Sequence, residues 1–210
     1  MVEVLPAILE KTFEKVQEKC ALLRGVVPRA QLDIADGVFV PEKSWNEASK
    51  LFELGNEIMF DVHLMAEKPE LLISEWNQEN VFRITFHHEA TYDVLRTIKI
   101  IKETGKEVGI ALNIETPVTM VYDVLELVDV ALLMGVLPGA QKREFNPRVI
   151  ERVKELREHS KTVNIGVDGG VRPIVAPSLI EAGANVLVSG SYIFEESDIK
   201  KAVHTLCQSQ

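Results

Sequence analysis

Val163-Asn164-Ile165-Gly166-Val167-Asp168-Gly169-Gly170-Val171-Arg172 is the stretch whose reading decides the fold. A short run of β-branched residues delivers one carboxylate, and two glycines follow at once. That is the composition of a buried parallel strand ending in a tight loop, with Asp168 at its C-terminal tip. Glycines carry no Cβ, so the backbone N–H groups of Gly169 and Gly170 can approach an anion closely. Pro173-Ile174-Val175-Ala176 predicts a helix beginning just behind them, over roughly 174–182. A plain βα turn has the same spacing, so the motif by itself does not separate a structural turn from a phosphate cradle.

Working outward, the same strand-then-helix unit recurs along the chain. Apolar runs predict strands at 4–8, 30–34, 57–65, 82–87, 108–113, 128–134 and 184–189, besides the one that carries Asp168. Amphipathic or proline-opened segments between them predict helices at 12–23, 45–54, 69–76, 92–103, 116–127 and 147–158, with a last one at 197–206. Eight continuous apolar runs alternating with helices predict an α/β protein, a (β/α)8 TIM barrel occupying 1–210 as one domain. A doubly wound open sheet is the alternative. Neither a GxGxxG after the first strand nor a Walker motif is present to support a nucleotide-binding version of it.

Composition narrows the function classes. Lys and Arg number 23 against 32 Asp and Glu, a net charge of −9, which disfavours nucleic acid and anionic membrane as partners. No apolar run approaches the roughly 20 residues that span a bilayer, and Met1-Val2-Glu3-Val4 lacks a signal-peptide layout, so a cytoplasmic protein is expected. Cys20 and Cys207 are isolated and read as packing residues.

In a barrel the C-terminal strand ends share one face, where active sites collect. Asp33, His63, His87, Asn113 and Asp168 fall at such ends. Two carboxylates facing each other across a barrel mouth suit a reaction in which one removes a proton from carbon and the other returns one to the opposite face. Asp33, His63 and Asp168 also form a set able to hold a divalent ion. Single residues have plainer readings. His87 and His88 read as structural partners of Glu89, Met65 as core, Asp36 as the cap of its own Asp36-Gly37 turn, and Lys154-Glu155 with Arg157-Glu158 as a solvated helix face.

Several segments resemble the ribulose-phosphate 3-epimerase family in order and spacing. They are Asp33-Ile34-Ala35-Asp36-Gly37-Val38-Phe39-Val40-Pro41, Asp61-Val62-His63-Leu64-Met65, Thr85-Phe86-His87-His88-Glu89-Ala90, Ala111-Leu112-Asn113-Ile114-Glu115-Thr116-Pro117-Val118, Val167-Asp168-Gly169-Gly170-Val171, and Ala182-Gly183-Ala184-Asn185 through Gly190-Ser191. The resemblance implies a barrel of the ribulose-phosphate-binding type that interconverts ribulose 5-phosphate and xylulose 5-phosphate through an enediolate. It implies Asp33 and Asp168 as the acid–base pair, and Asp33, His63 and Asp168 as ligands of a divalent metal (Zn, Fe or Mn). It also implies Met65 as the floor, Gly139, Gly169, Gly170, Gly190 and Ser191 as substrate and phosphate contacts, and a homo-oligomer.

The departures from the family pattern gather on the catalytic face. Gln31 stands where the family has histidine, Ala7 where it has serine, and Ala35 where it has methionine. The family's serine-valine-asparagine-proline-glycine loop with its following glycine pair becomes Gly135-Val136-Leu137-Pro138-Gly139-Ala140-Gln141-Lys142-Arg143, in which Lys142 and Arg143 offer charge in place of backbone donors. An altered metal site, an altered ketose phosphate and a sugar-phosphate-binding barrel without turnover are the readings these changes leave open.

Overall fold

In the computed structural model, which describes residues 2–136 and 144–208, the eight runs close on themselves. Strands β1 (Glu3–Ile8), β2 (Arg29–Ala35), β3 (Met59–Met65), β4 (Val81–His87), β5 (Glu107–Leu112), β6 (Val130–Met134), β7 (Asn164–Asp168) and β8 (Val186–Ser189) pair in that order into a closed barrel. Parallel β8 pairs back onto β1, Glu3 opposite Val186 and Pro6 opposite Ser189. The expected (β/α)8 architecture is therefore the observed one, each strand lying within a few residues of its predicted position.

Side chains alternate along a strand, so each one divides its residues between the lumen and the helical coat. The outward set, including Leu32, Ile34, Phe60, Val62, Leu64, Ile84 and Phe86, joins the large core between barrel and helices. The inward apolar set is smaller: Leu5, Ala7, Ala111, Val130, Leu132, Val186 and Val188. Polar residues fill the remainder of the lumen. Gln31 and Asp33 lie on the lumen side of β2, two residues apart, and Asp33 is in register with His63 of β3.

The helical coat departs from expectation in a regular way. Helices α1 (Phe13–Leu23), α3 (Val94–Glu103), α4 (Arg148–His159) and α7 (Ile199–Cys207) are regular, and α5 (Ala176–Ala182) and α6 (Ser191–Glu195) are short. The segments predicted at 45–54 and 116–127 are instead 3-10 helices, Ala48–Leu54 and Val118–Leu127, and the segment at 69–76 divides into a 3-10 turn, Pro69–Leu71, and the single turn α2 (Ile73–Trp76). The buried residues explain the difference. In α1 they are Phe13, Val16, Cys20 and Leu23, spaced for 3.6 residues per turn, whereas Ala48, Leu51 and Leu54, like Val118, Val121 and Val124, recur every third residue. A three-residue turn keeps such a row on one face.

One further reading is corrected. Arg157 is no solvated charge, because its guanidinium donates to the carbonyls of Ser160, Val163 and Gly183 and ties the end of α4 to the segments entering β7 and β8. Helix α5 starts at Ala176, behind Gly169 and Gly170 as expected, which lie in the loop ahead of it. Cys20 is buried, its thiol pushed up to about 12 by that burial, in keeping with a packing role. Among the described residues no helix is long and apolar enough to cross a membrane.

Candidate active site

Three strands bring the site together. Asp33 near the end of β2, His63 on β3 and Asp168 at the end of β7 point into the C-terminal end of the lumen, all buried. Among the described residues they form the group of metal-ligating side chains, with one ligand atom from each lying within 4.8 Å of the others. Gln31 sits between them. Its amide nitrogen donates to Asp33 Oδ1 and to Asp168 Oδ2, 2.7 Å in each case, which takes both of its hydrogens, and lies 3.3 Å from His63 Nδ1. Its carbonyl oxygen, Oε1, is buried without a hydrogen-bond partner.

The histidines form a second tier. His63 Nδ1 is 3.1 Å from Asp33 Oδ1 and 3.6 Å from Asp168 Oδ2, while its Nε2 meets His87 Nε2 at 2.9 Å, the two rings stacked with centroids 5.0 Å apart. Burial pushes His87 down to about 4, so at neutral pH it is uncharged and accepts from the Nε2–H of His63. Burial opposes a charge on His63 too, yet its hydrogen bond to Asp33 and the Asp33 and Asp168 carboxylates outweigh it and raise the imidazole above its ordinary value. Beyond His87, Glu89 approaches its Nδ1 at 3.5 Å, the outer edge of hydrogen bonding, and accepts from the Asn113 N–H and the Thr116 hydroxyl. Burial by itself would raise Glu89, but His87 and Thr116 prevail and hold it down to about 2.

Burial, and after it the Asp33 carboxylate, push Asp168 up to about 7. A carboxyl group raised toward neutral pH can act there as an acid as well as a base, which is what proton transfer to and from carbon needs.

The structure brings together the predicted Asp33, His63 and Asp168. Met65 ends β3 and packs with Ala35 and Val40, with Leu9 and Phe39 against them, on the mouth side of the same lumen. Gly169 and Gly170 adopt φ of +103° and +70°, where an L side chain is strained, and a Cβ on either would collide with Val136 or Phe145. The turn thus accounts for both glycines. Gly190 lies against the Ala7 carbonyl, ahead of Ser191 and α6. Gly139, Lys142 and Arg143 lie outside the described residues. Asp36 caps its turn as expected, accepting from the N–H groups of Val38, Phe39 and Glu67. His87 is buried beside Glu89, in keeping with the structural role read for it, and in addition stacks on His63, a contact the sequence did not show.

A closed parallel barrel whose C-terminal mouth holds two buried carboxyl groups beside a buried imidazole defines a barrel built for acid–base chemistry. A model of the Ribulose-phosphate 3 epimerase family matches residues 3–194, so the chain belongs to that family, a family of isomerases of pentose phosphates. It is 35% identical over 210 residues to the ribulose-phosphate 3-epimerase of Bacillus subtilis, covering 97% of each chain. To that of Escherichia coli K12 it is 31% identical over 207 residues, covering 95% of this chain and 92% of the other. The solved structure of 3-hexulose-6-phosphate synthase from Salmonella typhimurium has a TM-score of 0.71 at 14% identity, covering 99% of this chain and 97% of that one, a likeness of fold alone.

The divalent ion implied by the resemblance meets a divided site. Two carboxylates and an imidazole within 4.8 Å of one another suit such an ion. The fourth position offers an amide whose NH2, not its oxygen, faces the other three.

Proposed function

We propose that the protein epimerises a ketose phosphate at C3, interconverting ribulose 5-phosphate and xylulose 5-phosphate, with Asp33 and Asp168 as the proton-transfer pair. The observation that carries the reading is the placement of these two carboxyl groups on β2 and β7, both buried and joined through one Gln31 amide nitrogen. One group, as carboxylate, takes the C3 proton from one face of the sugar and leaves an enediolate. The other, as the acid, gives its proton to C3 from the opposite face. Each turnover exchanges the protonation states of the pair, and the raised Asp168 suits a group that must serve as both acid and base near neutral pH. Exclusion of water protects the enediolate and strengthens hydrogen bonds to its oxygens.

Asp33, His63 and Asp168 would hold the family's divalent ion, which when bound supplies positive charge against the enediolate. His87 orients the His63 ring through Nε2 and thereby fixes which nitrogen faces Asp33. The substrate phosphate is assigned to the loop of Gly169 and Gly170 and to Gly190 and Ser191, with Gly139 as a further contact and Lys142 and Arg143 offering charge, and Met65 beneath the sugar. That assignment rests on the family resemblance. The altered sequence at 139–143 favours one second reading, the same proton transfer on another ketose phosphate.

The test is proton exchange. Incubation with ribulose 5-phosphate in D2O, with and without added Zn²⁺, Fe²⁺ or Mn²⁺, is followed by NMR at C3. Exchange accompanied by xylulose 5-phosphate is the expected result. Exchange without product would transfer the reading to another ketose phosphate, and no exchange under any condition would overturn both.

A further inference from the structure

We propose that Gln31 takes the place of a bound cation in this site, its amide NH2 bridging Asp33 and Asp168, so that a divalent ion enters only by displacing it and binds weakly. The inference deepens the reading of Asp33 and Asp168 as an acid–base pair and rests on it. Two carboxyl groups buried in one lumen repel when both are charged, and a hydrogen-bond donor between them relieves that repulsion. The Gln31 nitrogen does so, 2.7 Å from an oxygen of each and 3.3 Å from His63 Nδ1, in contact with one potential ligand atom of all three residues. An ion bonded to those atoms at about 2.0–2.2 Å would fall within the van der Waals radius of that nitrogen. An amide nitrogen has no free lone pair to offer a metal, so amide and ion exclude each other.

The other end of the side chain supports this orientation. Oε1 is buried and has no partner, so the inward turn of the NH2 is held against the loss of an acceptor's hydrogen bond. Turning the amide over would set three acceptors, Oε1 and the two carboxylates, against one another. Gln31 keeps its NH2 inward because both carboxyl groups accept from it, with Asp33 also meeting the His63 imidazole at 3.1 Å. Gln31 is a positioning residue here: it fixes the spacing of the two acid–base groups without itself exchanging a proton with the sugar.

The experiment is titration of the metal-free protein with ZnCl2 by calorimetry, for wild type, Gln31→Ala and Gln31→His. If the amide competes with the ion, Gln31→Ala binds Zn²⁺ at least about 10-fold more tightly than wild type. Gln31→His binds it more tightly again, by about 100-fold over wild type, since it adds a ligand as well as removing the competitor. If Gln31 instead ligates through Oε1, Gln31→Ala binds Zn²⁺ more weakly, and either that result or an unchanged affinity overturns the proposal. Should Gln31→Ala not fold, wild type decides. Its Gln31 side-chain amide resonances must shift when Zn²⁺ saturates the site, and a stationary signal with zinc bound overturns the proposal. These readouts need no turnover, so a protein that never exchanges the C3 proton defeats the function proposed above and leaves the sign of the zinc change to decide the role of Gln31.

Discussion

At the N-terminal end of the lumen, Arg83 and Asp61 bury a pair of opposite charges; at the C-terminal end, Asp33 and Asp168 bury a pair of acidic groups. The first pair is fully served. Asp61 takes Arg83 Nε and Nη2 on one oxygen, at 2.9 and 2.8 Å, and the Thr85 hydroxyl on the other at 2.7 Å. Gly109 makes room for this arrangement, since a Cβ there would lie 2.1 Å from Thr85 Oγ1. The second pair is held by one amide that leaves its own oxygen orphaned. The difference teaches which end is built for stability and which for chemistry. Satisfied opposite charges have nothing left to offer a substrate, while like groups in a partly satisfied site can still move a proton.

The strongest way to break the comparison is to change one member at each end. Asp168→Asn should reduce C3 exchange by about 10³-fold or more and leave the melting temperature at or slightly above that of wild type, because repulsion with Asp33 is relieved. Thermal melts beside the NMR assay check both halves, and a variant with full exchange would end the catalytic assignment. Arg83→Met should show the reverse pattern. Leaving Asp61 buried and unpaired costs about 3–5 kcal/mol, read as a lowered urea midpoint. Arg83→Met combined with Asp61→Leu should recover most of that loss, and a tolerated single variant would remove the claim that this end is a stability device.

A smaller effect tests the histidine tier. His87 lies at about 4 in the folded chain against an ordinary 6.5, so as pH falls through 6.5 the unfolded chain gains a proton that the folded chain refuses. The stability it contributes is thus complete above pH 6.5 and is lost on the way down to about 4, by at most about 3 kcal/mol. Asp168, raised to about 7, works in the opposite sense across that window, so the readout is wild type against His87→Gln, in which the Asp168 contribution is common to both. Wild type should lose stability relative to the variant between pH 7 and 4.5; parallel curves would show that His87 is not held neutral. The smallest effect is a control away from both ends. Asp93 caps α3 by accepting from the Arg96 N–H at 2.9 Å, and Asp93→Ala should cost about 1 kcal/mol with no change in exchange or zinc affinity.

Much of this was legible in the chain. Continuous apolar runs marked the strands, and their predicted ends placed Asp33, His63 and Asp168 on the C-terminal face of the barrel, which is where they are found. The 3-10 segments were legible in principle, as the every-third-residue spacing of Ala48, Leu51 and Leu54 shows, but amphipathicity over a short window does not separate 3.0 from 3.6 residues per turn. The nearness of His87 to Glu89 was legible because the two are close in sequence, whereas its stacking on His63 depends on the pairing of β3 with β4.

The sequence by itself determined the alternation of strand and helix, hence the barrel, the inward-facing carboxylates and the presence of glutamine two residues before Asp33. Those properties follow from local periodicity and covalent order. Only the tertiary structure decided that the Gln31 amide reaches Asp168, 137 residues away, that its NH2 rather than its oxygen faces the pair, and that one charged cluster in the lumen is satisfied while the other is not. Those outcomes depend on closure of β8 onto β1, which sets buried side chains from distant strands within hydrogen-bonding range, where each polar group must find its partner in the protein.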